Sequence, residues 1–278
     1  MKTDLDFFAS DIKRSLPSNG LEPENISKKG TRYYFSNEDY GEPLKKCFDL
    51  LGIKSKEFQK VPGHNNLKIC SVSSSARLCF LFFRKQEQVE FEYSLPNPTG
   101  NGNPAQLDAK TDQTYFECKC QEIVDGEKET LSEKYISKLK KYFGLNKLNI
   151  NTYEKTISAY LQDLNIDYNE DYDKTHFNVK QLFTHLISLA EEHQLEGDKA
   201  VLQYVFFTPA KENQSDSTKR VYVELNAEIK AIWGSEALKF FKRVRPNIEL
   251  PEPMFIQVSE PCFADNPKDI LKDLSRKG

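Results

Sequence analysis

The sequence predicts an α/β fold, a mixed sheet covered by helices, on three observations. The run "AVLQYVFFTP" (200–209) is apolar on both faces, as a buried central strand is. Just before it, "FNVKQLFTHLISLAEEHQ" (177–194) puts Phe177, Leu182, Leu186 and Leu189 roughly on one helical face. Upstream, "QVEFEYSL" alternates apolar and polar residues from Val89 to Leu95, which is the period of a strand. Strands and helices in alternation build layered sheets.

The remaining elements follow in order. "DLDFFASDIKRSL" spaces Leu5, Phe8, Ile12 and Leu16 for a helix. "PSNGLEPENISKKGTRYYF" reads as loop, and "SNEDYGEPLKKCFDLLG" as a helix capped by Ser36 and stopped at Gly52. "SVSSSARLCFLFFRK" predicts a helix with a serine-rich first turn. After the turn-rich "PNPTGNGNP", "AQLDAKTD" and "QTYFECKCQEI" predict two short strands, over 105–110 and 114–123. "EKETLSEKYISKLKKYFG" predicts a helix with a basic face ending at Gly144, and 146–175 is polar and acidic, as in an exposed loop. "VYVELNAEIKAIWGSEALKFFKRV" is expected to begin extended and turn helical, and "PMFIQVSE" to form a last strand. No internal repeat is present. We expect one domain over 1–278: an N-terminal helical extension (1–65), a core (70–210) and C-terminal strand and helix additions (211–278).

Composition narrows the function. A net charge of −3 excludes a polybasic coat, although 39 Lys and Arg suffice for a local basic groove. None of the six cysteines has zinc-site spacing, so reduced, buried thiols are expected. The opening "MKTDLDFFASDIKRSL" has acids at once and no signal-like apolar stretch, and the longest apolar run is Leu78 to Phe83. A soluble cytoplasmic chain with no membrane partner is expected. No P-loop and no G-x-G-x-x-G is found, so no nucleotide cofactor is expected. His64, His176, His185 and His193 lack a G-x-S-x-G companion and read as core or cap residues.

The chemistry-bearing stretch is "AQLDAKTDQTYFECKCQE" (105–122). On a strand Glu117 and Lys119 share one face, while Phe116, Cys118 and Cys120 share the other. The second face suits a core, so the first is expected to look into a cleft or solvent. A hairpin turning at "AKTD" brings Asp108 beside Glu117. Two carboxylates and a lysine fit Mg²⁺, which takes hard oxygens from one or two carboxylates and leaves room for water and phosphate. Such an ion acidifies water and screens a phosphate. Lys119 is placed to stabilise charge on the phosphate, and Cys118 to lend its backbone carbonyl. The bland alternative is an exposed hairpin carrying an ion pair.

"FEYSLPNP…NPAQLDA…TYFECK" resembles the PD-(D/E)XK nuclease superfamily, the restriction-endonuclease-like fold. Asp108 matches the first acid, Glu117 the second and Lys119 the lysine; Leu107 stands where the family's proline would be. The resemblance covers roughly residues 70–210. It implies a core of helix Ser73–Phe83, a meander of strands 89–95, 105–110 and 114–123, helix Phe177–Glu192 and strand Ala200–Phe207. It further implies Mg²⁺-dependent hydrolysis of duplex DNA by a restriction-type or defence endonuclease, with Mn²⁺ able to substitute and a homodimer as a common assembly. Asp108, Glu117 and Lys119 would be catalytic, and Asp108, Glu117 and Cys118 would hold the metal. Glu92 and Gln181 are accessory candidates, set against a solvated strand face and a solvated helix turn. Glu122 reads as surface. A basic rim is expected from Lys134, Lys138 and Lys141 and from Lys239, Lys242, Arg243 and Arg245. The second function class is a catalytically silent module of the same fold that binds nucleic acid or a protein partner.

Overall fold

A computed structural model describes residues 3–26, 32–62, 64–97, 104–124, 133–144, 176–194 and 198–277. The expected acidic loop at 146–175 lies outside them. Helix α1 (Asp4–Ser15) begins in a capping box: Thr3 Oγ1 accepts the Asp6 N–H, and the Asp6 carboxylate accepts the Thr3 N–H at 2.7 Å. The "loop" that follows contains a two-residue antiparallel ladder, β1 (Glu24–Asn25) and β2 (Tyr33–Tyr34). Ser36 does cap the next segment, a turn of π-helix over Asn37–Gly41 that runs into α2 (Glu42–Leu50). Helix α3 (Ser75–Phe83) starts at Ser74, whose hydroxyl accepts the Arg77 N–H.

A six-stranded mixed sheet follows. Strands β3 (Val89–Leu95), β4 (Ala105–Thr111) and β5 (Thr114–Lys119) form an antiparallel meander. The β4–β5 turn places Asp112 at φ +51°, a left-handed position that Asp tolerates better than most residues. Helix α4 (Glu133–Phe143) ends at Gly144, φ +64°. Helix α5 (Val179–Glu192) leads to β6 (Ala200–Thr208), which pairs parallel with β5. Helices α6 (Asp216–Trp233) and α7 (Glu236–Val244) follow. Strands β7 (Ile248–Glu249) and β8 (Met254–Gln257) then pair with the two ends of β6 on its other side. Helix α8 (Pro267–Lys277) closes the chain against α2.

Two expected boundaries move. The segment from Val221 is helical from the start, because Ser215 caps α6 by accepting the Thr218 N–H and Val221, Tyr222 and Leu225 fall on its buried side. Strand β5 stops at Lys119, four residues before the expected end, and residues Gln121–Ile123 form a 3₁₀ turn. Glu122 is exposed, as read from the sequence, and also ties this turn down: its Oε2 accepts the Cys120 N–H at 2.9 Å, and its Oε1 accepts from Ser75 Oγ.

Helices cover both sheet faces. α3 lies on one, with Phe83 on Phe116 at 4.4 Å and Phe82 on Phe207 at 6.1 Å between ring centroids. α5 lies on the other, against β3, β4, β6 and β7. Buried residues from Phe8 to Ile270 make a continuous core, which includes the N-terminal segment. Arg77, fully buried, ties that segment down. It donates to the carbonyls of Ser71 and Val72 and to Tyr40 Oη. All six cysteines are free. No helix among the described residues is long and apolar enough to cross a membrane.

Candidate functional site

The sheet register sets Asp108 and Glu117 in one row. On β3, Phe91 pairs with Ala109 and Tyr93 with Leu107, and the ladder is interrupted between them at Glu92. Ala109 pairs with Phe116, so Glu117 is next to Asp108 on the following strand. The β4–β5 ladder ends at Ala109. There the strands part, and the Cys118 N–H donates to Asp108 Oδ2 at 2.7 Å. Residues in one row of a sheet point to one face, and for Glu117 that face is the one under α5. Glu92 has φ +54°, a strained backbone for a glutamate. Of its two sequence readings, accessory site residue or solvated strand face, the second does not hold: it is half-buried beside Ser55, within electrostatic reach of Glu117.

Glu117 is 3% exposed, so its face is roofed and not an open cleft as expected. The roof is α5. Asn178 caps this helix by accepting the Gln181 N–H at 2.8 Å. Gln181 and His185, four residues apart, then share a face. Gln181 Nε2 donates to Glu117 Oε1 at 2.8 Å, and Lys119 Nζ sits 2.6 Å from the same oxygen. His185 Nδ1 lies 3.8 Å from Glu117 Oε2, and neither of these two atoms has a hydrogen-bond partner among the described residues. Gln181 is therefore no solvated helix turn. His185, read from the sequence as a core residue, is an addition; the i, i+4 spacing from Gln181 is the signal that could have found it.

Electrostatics make the cluster a strained group of charges. Burial and then Glu117 hold the Asp108 pKa well above the usual carboxyl range, against the lowering pull of Lys119 and the Cys118 N–H. Burial also raises Glu92, with Ser55 opposing and Glu117 adding. Burial alone would lower Lys119, but Glu117, Glu122 and Asp108 together outweigh it and raise its pKa. Burial lowers the His185 pKa, against the raising pull of Glu117.

The expected basic rim is elsewhere. Lys138 and Lys141 of α4 reach Glu191, at the far end of α5 from Gln181, at 2.8 and 3.4 Å. Helix α7 packs against α4 and carries Lys239 and Lys242, both exposed, with Arg243 over the Phe240 ring; Arg245, just beyond it, lies over Tyr142. Ten residues of helix separate Gln181 from Glu191, about 15 Å of axis. The two helices form a basic shoulder beside the carboxylates and not a rim around them.

Among the described residues no three His, Cys, Asp or Glu side chains are gathered tightly enough to hold a metal ion as they stand. A divalent cation nevertheless suits the donors present. Among the described residues Glu117 keeps a buried oxygen without a partner, and burial and Glu117 push the Asp108 carboxyl up, an effect that a nearby cation opposes. No protein family, curated protein or solved structure matches the chain.

Proposed function

We propose that the chain is a metal-dependent nuclease of the restriction-endonuclease-like type, which hydrolyses phosphodiester bonds in duplex DNA at Asp108, Glu117 and Lys119. The observation that carries the reading is the convergence of these three side chains where β4 and β5 part, with the orphaned Glu117 Oε2 among them. The element order supports it: α3, an antiparallel meander, α5, then a strand parallel to the third of the meander.

Asp108 and Glu117 would hold Mg²⁺, with Mn²⁺ as a substitute. When bound, the ion supplies an acidified water and neutralises phosphate charge. The chain's own residues do the rest. Gln181 fixes the plane of the Glu117 carboxylate through Oε1. Lys119, kept charged by its acidic neighbours, stabilises the negative charge that grows on the scissile phosphate. Asp108 is oriented by the Cys118 N–H. The α4–α7 shoulder would take phosphates further along the duplex, so affinity should fall steeply with salt.

One observation favours a second reading, a silent nuclease-fold module that binds nucleic acid or a protein. Lys119 already neutralises Glu117, and the carboxylate is almost wholly covered. Cleavage of plasmid DNA in Mg²⁺ separates the two. Asp108→Ala should abolish it. Lys119→Ala should slow it on the order of a hundredfold or more, the scale of one lost preorganised contact. A wild-type chain that binds DNA but never cuts it, in Mg²⁺ or Mn²⁺, establishes the silent module.

A further inference from the structure

Helix α5 presents two residues to Glu117, and they do different things. Gln181 bonds one oxygen. His185, one turn on, brings Nδ1 to 3.8 Å from the other. Both His185 and Glu117 are nine-tenths buried or more, at 2% and 3% exposed, and both facing atoms lack a partner among the described residues. A buried polar atom left unpaired costs about 1–3 kcal/mol, and here two of them meet. The gap is too long for a direct hydrogen bond. It is close to what one cation needs: two ligands each about 2.1 Å from an ion stand roughly 3–3.5 Å apart. A shift of about 0.3–0.8 Å closes the difference for this pair.

The ring can offer a lone pair. Nδ1 has no hydrogen-bond partner among the described residues, so the fold makes no use of it. A neutral imidazole binds a metal ion through either ring nitrogen.

We propose that His185 Nδ1 is a ligand, together with Asp108 and Glu117, for the divalent cation of this site, and that it biases the site toward first-row transition ions over Mg²⁺. The inference rests on the nuclease reading only for the presence of a cation there. Mg²⁺ prefers hard oxygen ligands and gains little from imidazole, whereas the ions from Mn²⁺ onward accept nitrogen readily. A site of carboxylates alone would show no such bias.

The experiment uses Mn²⁺ as the probe, on the full chain. Continuous-wave electron paramagnetic resonance counts bound Mn²⁺, Mg²⁺ competes for it, and pulsed measurements detect a directly bound ¹⁴N. The wild type should bind one Mn²⁺ with a ¹⁴N coupling, and Mg²⁺ should displace it only in large excess. Asp108→Ala, which removes the site, should lose both. His185→Gln should lose the ¹⁴N coupling and weaken Mn²⁺ about tenfold or more, while Mg²⁺ affinity changes by about twofold or less. The pulsed measurement on the wild type needs no variant, so a poorly folding His185→Gln does not blunt it. Mn²⁺ bound at an Asp108-dependent site without a ¹⁴N coupling overturns the proposal, and so does an unchanged Mn²⁺ to Mg²⁺ ratio in His185→Gln. A ¹⁴N-coupled ion in a chain that cleaves no DNA upholds the ligand and removes the nuclease. No ion bound at all removes both.

Discussion

Two buried glutamates lie against the start of helix α5, and they are used in opposite ways. Glu228, on α6 and fully buried, accepts the N–H of His176 on Oε1 at 3.1 Å and that of Phe177 on Oε2 at 2.8 Å. These donors belong to the segment that leads into α5. Glu117, on β5, is nearly as buried, but its bonds come from side chains, Gln181 and Lys119, and all fall on one oxygen. Its other oxygen has none among the described residues. Burial does not tell these two carboxylates apart; hydrogen-bond satisfaction does. A carboxylate that holds backbone N–H groups on both oxygens is fully used by the fold. On the proposed reading, the idle oxygen of Glu117 is the one that meets the cation.

The comparison is broken most directly by activity. Glu117→Gln should lower Mg²⁺-dependent cleavage by about a thousandfold or more, because it removes a charged ligand from the ion. Glu228→Gln, assayed well below its unfolding temperature, should cut within about tenfold of the parent. Equal losses in the two variants would mean that satisfaction does not mark function here.

Stability should reverse the order. Glu228→Ala leaves two buried backbone N–H groups without acceptors, at about 1–3 kcal/mol each, so it should cost about 2–6 kcal/mol by denaturant unfolding. The loss should appear first in hydrogen exchange of α5, whose entry those bonds fix. A loss under about 1 kcal/mol would show that water replaces the carboxylate.

The pH dependence gives a further separation. Burial pushes the Glu228 pKa up from the ordinary 4.5 to about 7, against His176 and the two N–H groups, which lower it, while Glu224 adds a smaller raising effect. The folded state therefore binds the proton more tightly than the unfolded one. The stabilisation is fully present below pH 4.5 and is lost as pH rises through about 7, a change of about 3 kcal/mol. Asp108, also raised, acts in the same direction. The quantity to measure is therefore the wild-type stability curve minus that of Glu228→Gln, between pH 4.5 and 7.5. A flat difference would contradict the assignment.

The sequence carried the sheet better than its edges. Strands β3, β4 and β6 were legible because alternation and continuous apolar runs are strong local patterns. α6 was misread because "VYV" is β-branched and aromatic, while its helix is decided by Ser215 six residues upstream and by a buried stripe that only the packing reveals. The end of β5 was misread because Cys120 is as apolar as a strand residue, yet its backbone turns away at ψ −86° and its N–H goes to Glu122. Asp108, Glu117 and Lys119 were legible as a spaced motif, whose function is still a proposal. That β3 breaks its ladder at Glu92 is a backbone irregularity that no local pattern in the sequence marks. Glu228 gave no signal at all: it is one glutamate in a long helix, and its partners are backbone atoms some 50 residues away.

The smallest expected effect is the sharpest, because it tests why the two glutamates differ. Glu117's charged partner is a side chain and can be removed with it; Glu228's partners are backbone and cannot. Each single change at the pair should be felt. Glu117→Gln leaves the Lys119 ammonium, only 16% exposed, without its nearest counter-charge, and Lys119→Met leaves the carboxylate bare; each should cost about 1–3 kcal/mol. The double variant Glu117→Gln, Lys119→Met removes both charges at nearly constant volume. Replacing a buried ion pair by uncharged groups of similar shape is often neutral or stabilising, because the desolvation of two ions is relieved. The double variant should thus unfold within about 1 kcal/mol of the parent, or above it, while cutting no DNA. Strict additivity of the single losses in the double-mutant cycle would show that the Lys119–Glu117 contact contributes nothing as a pair. Glu117 would then be held by the fold as Glu228 is, and the distinction between the two would collapse.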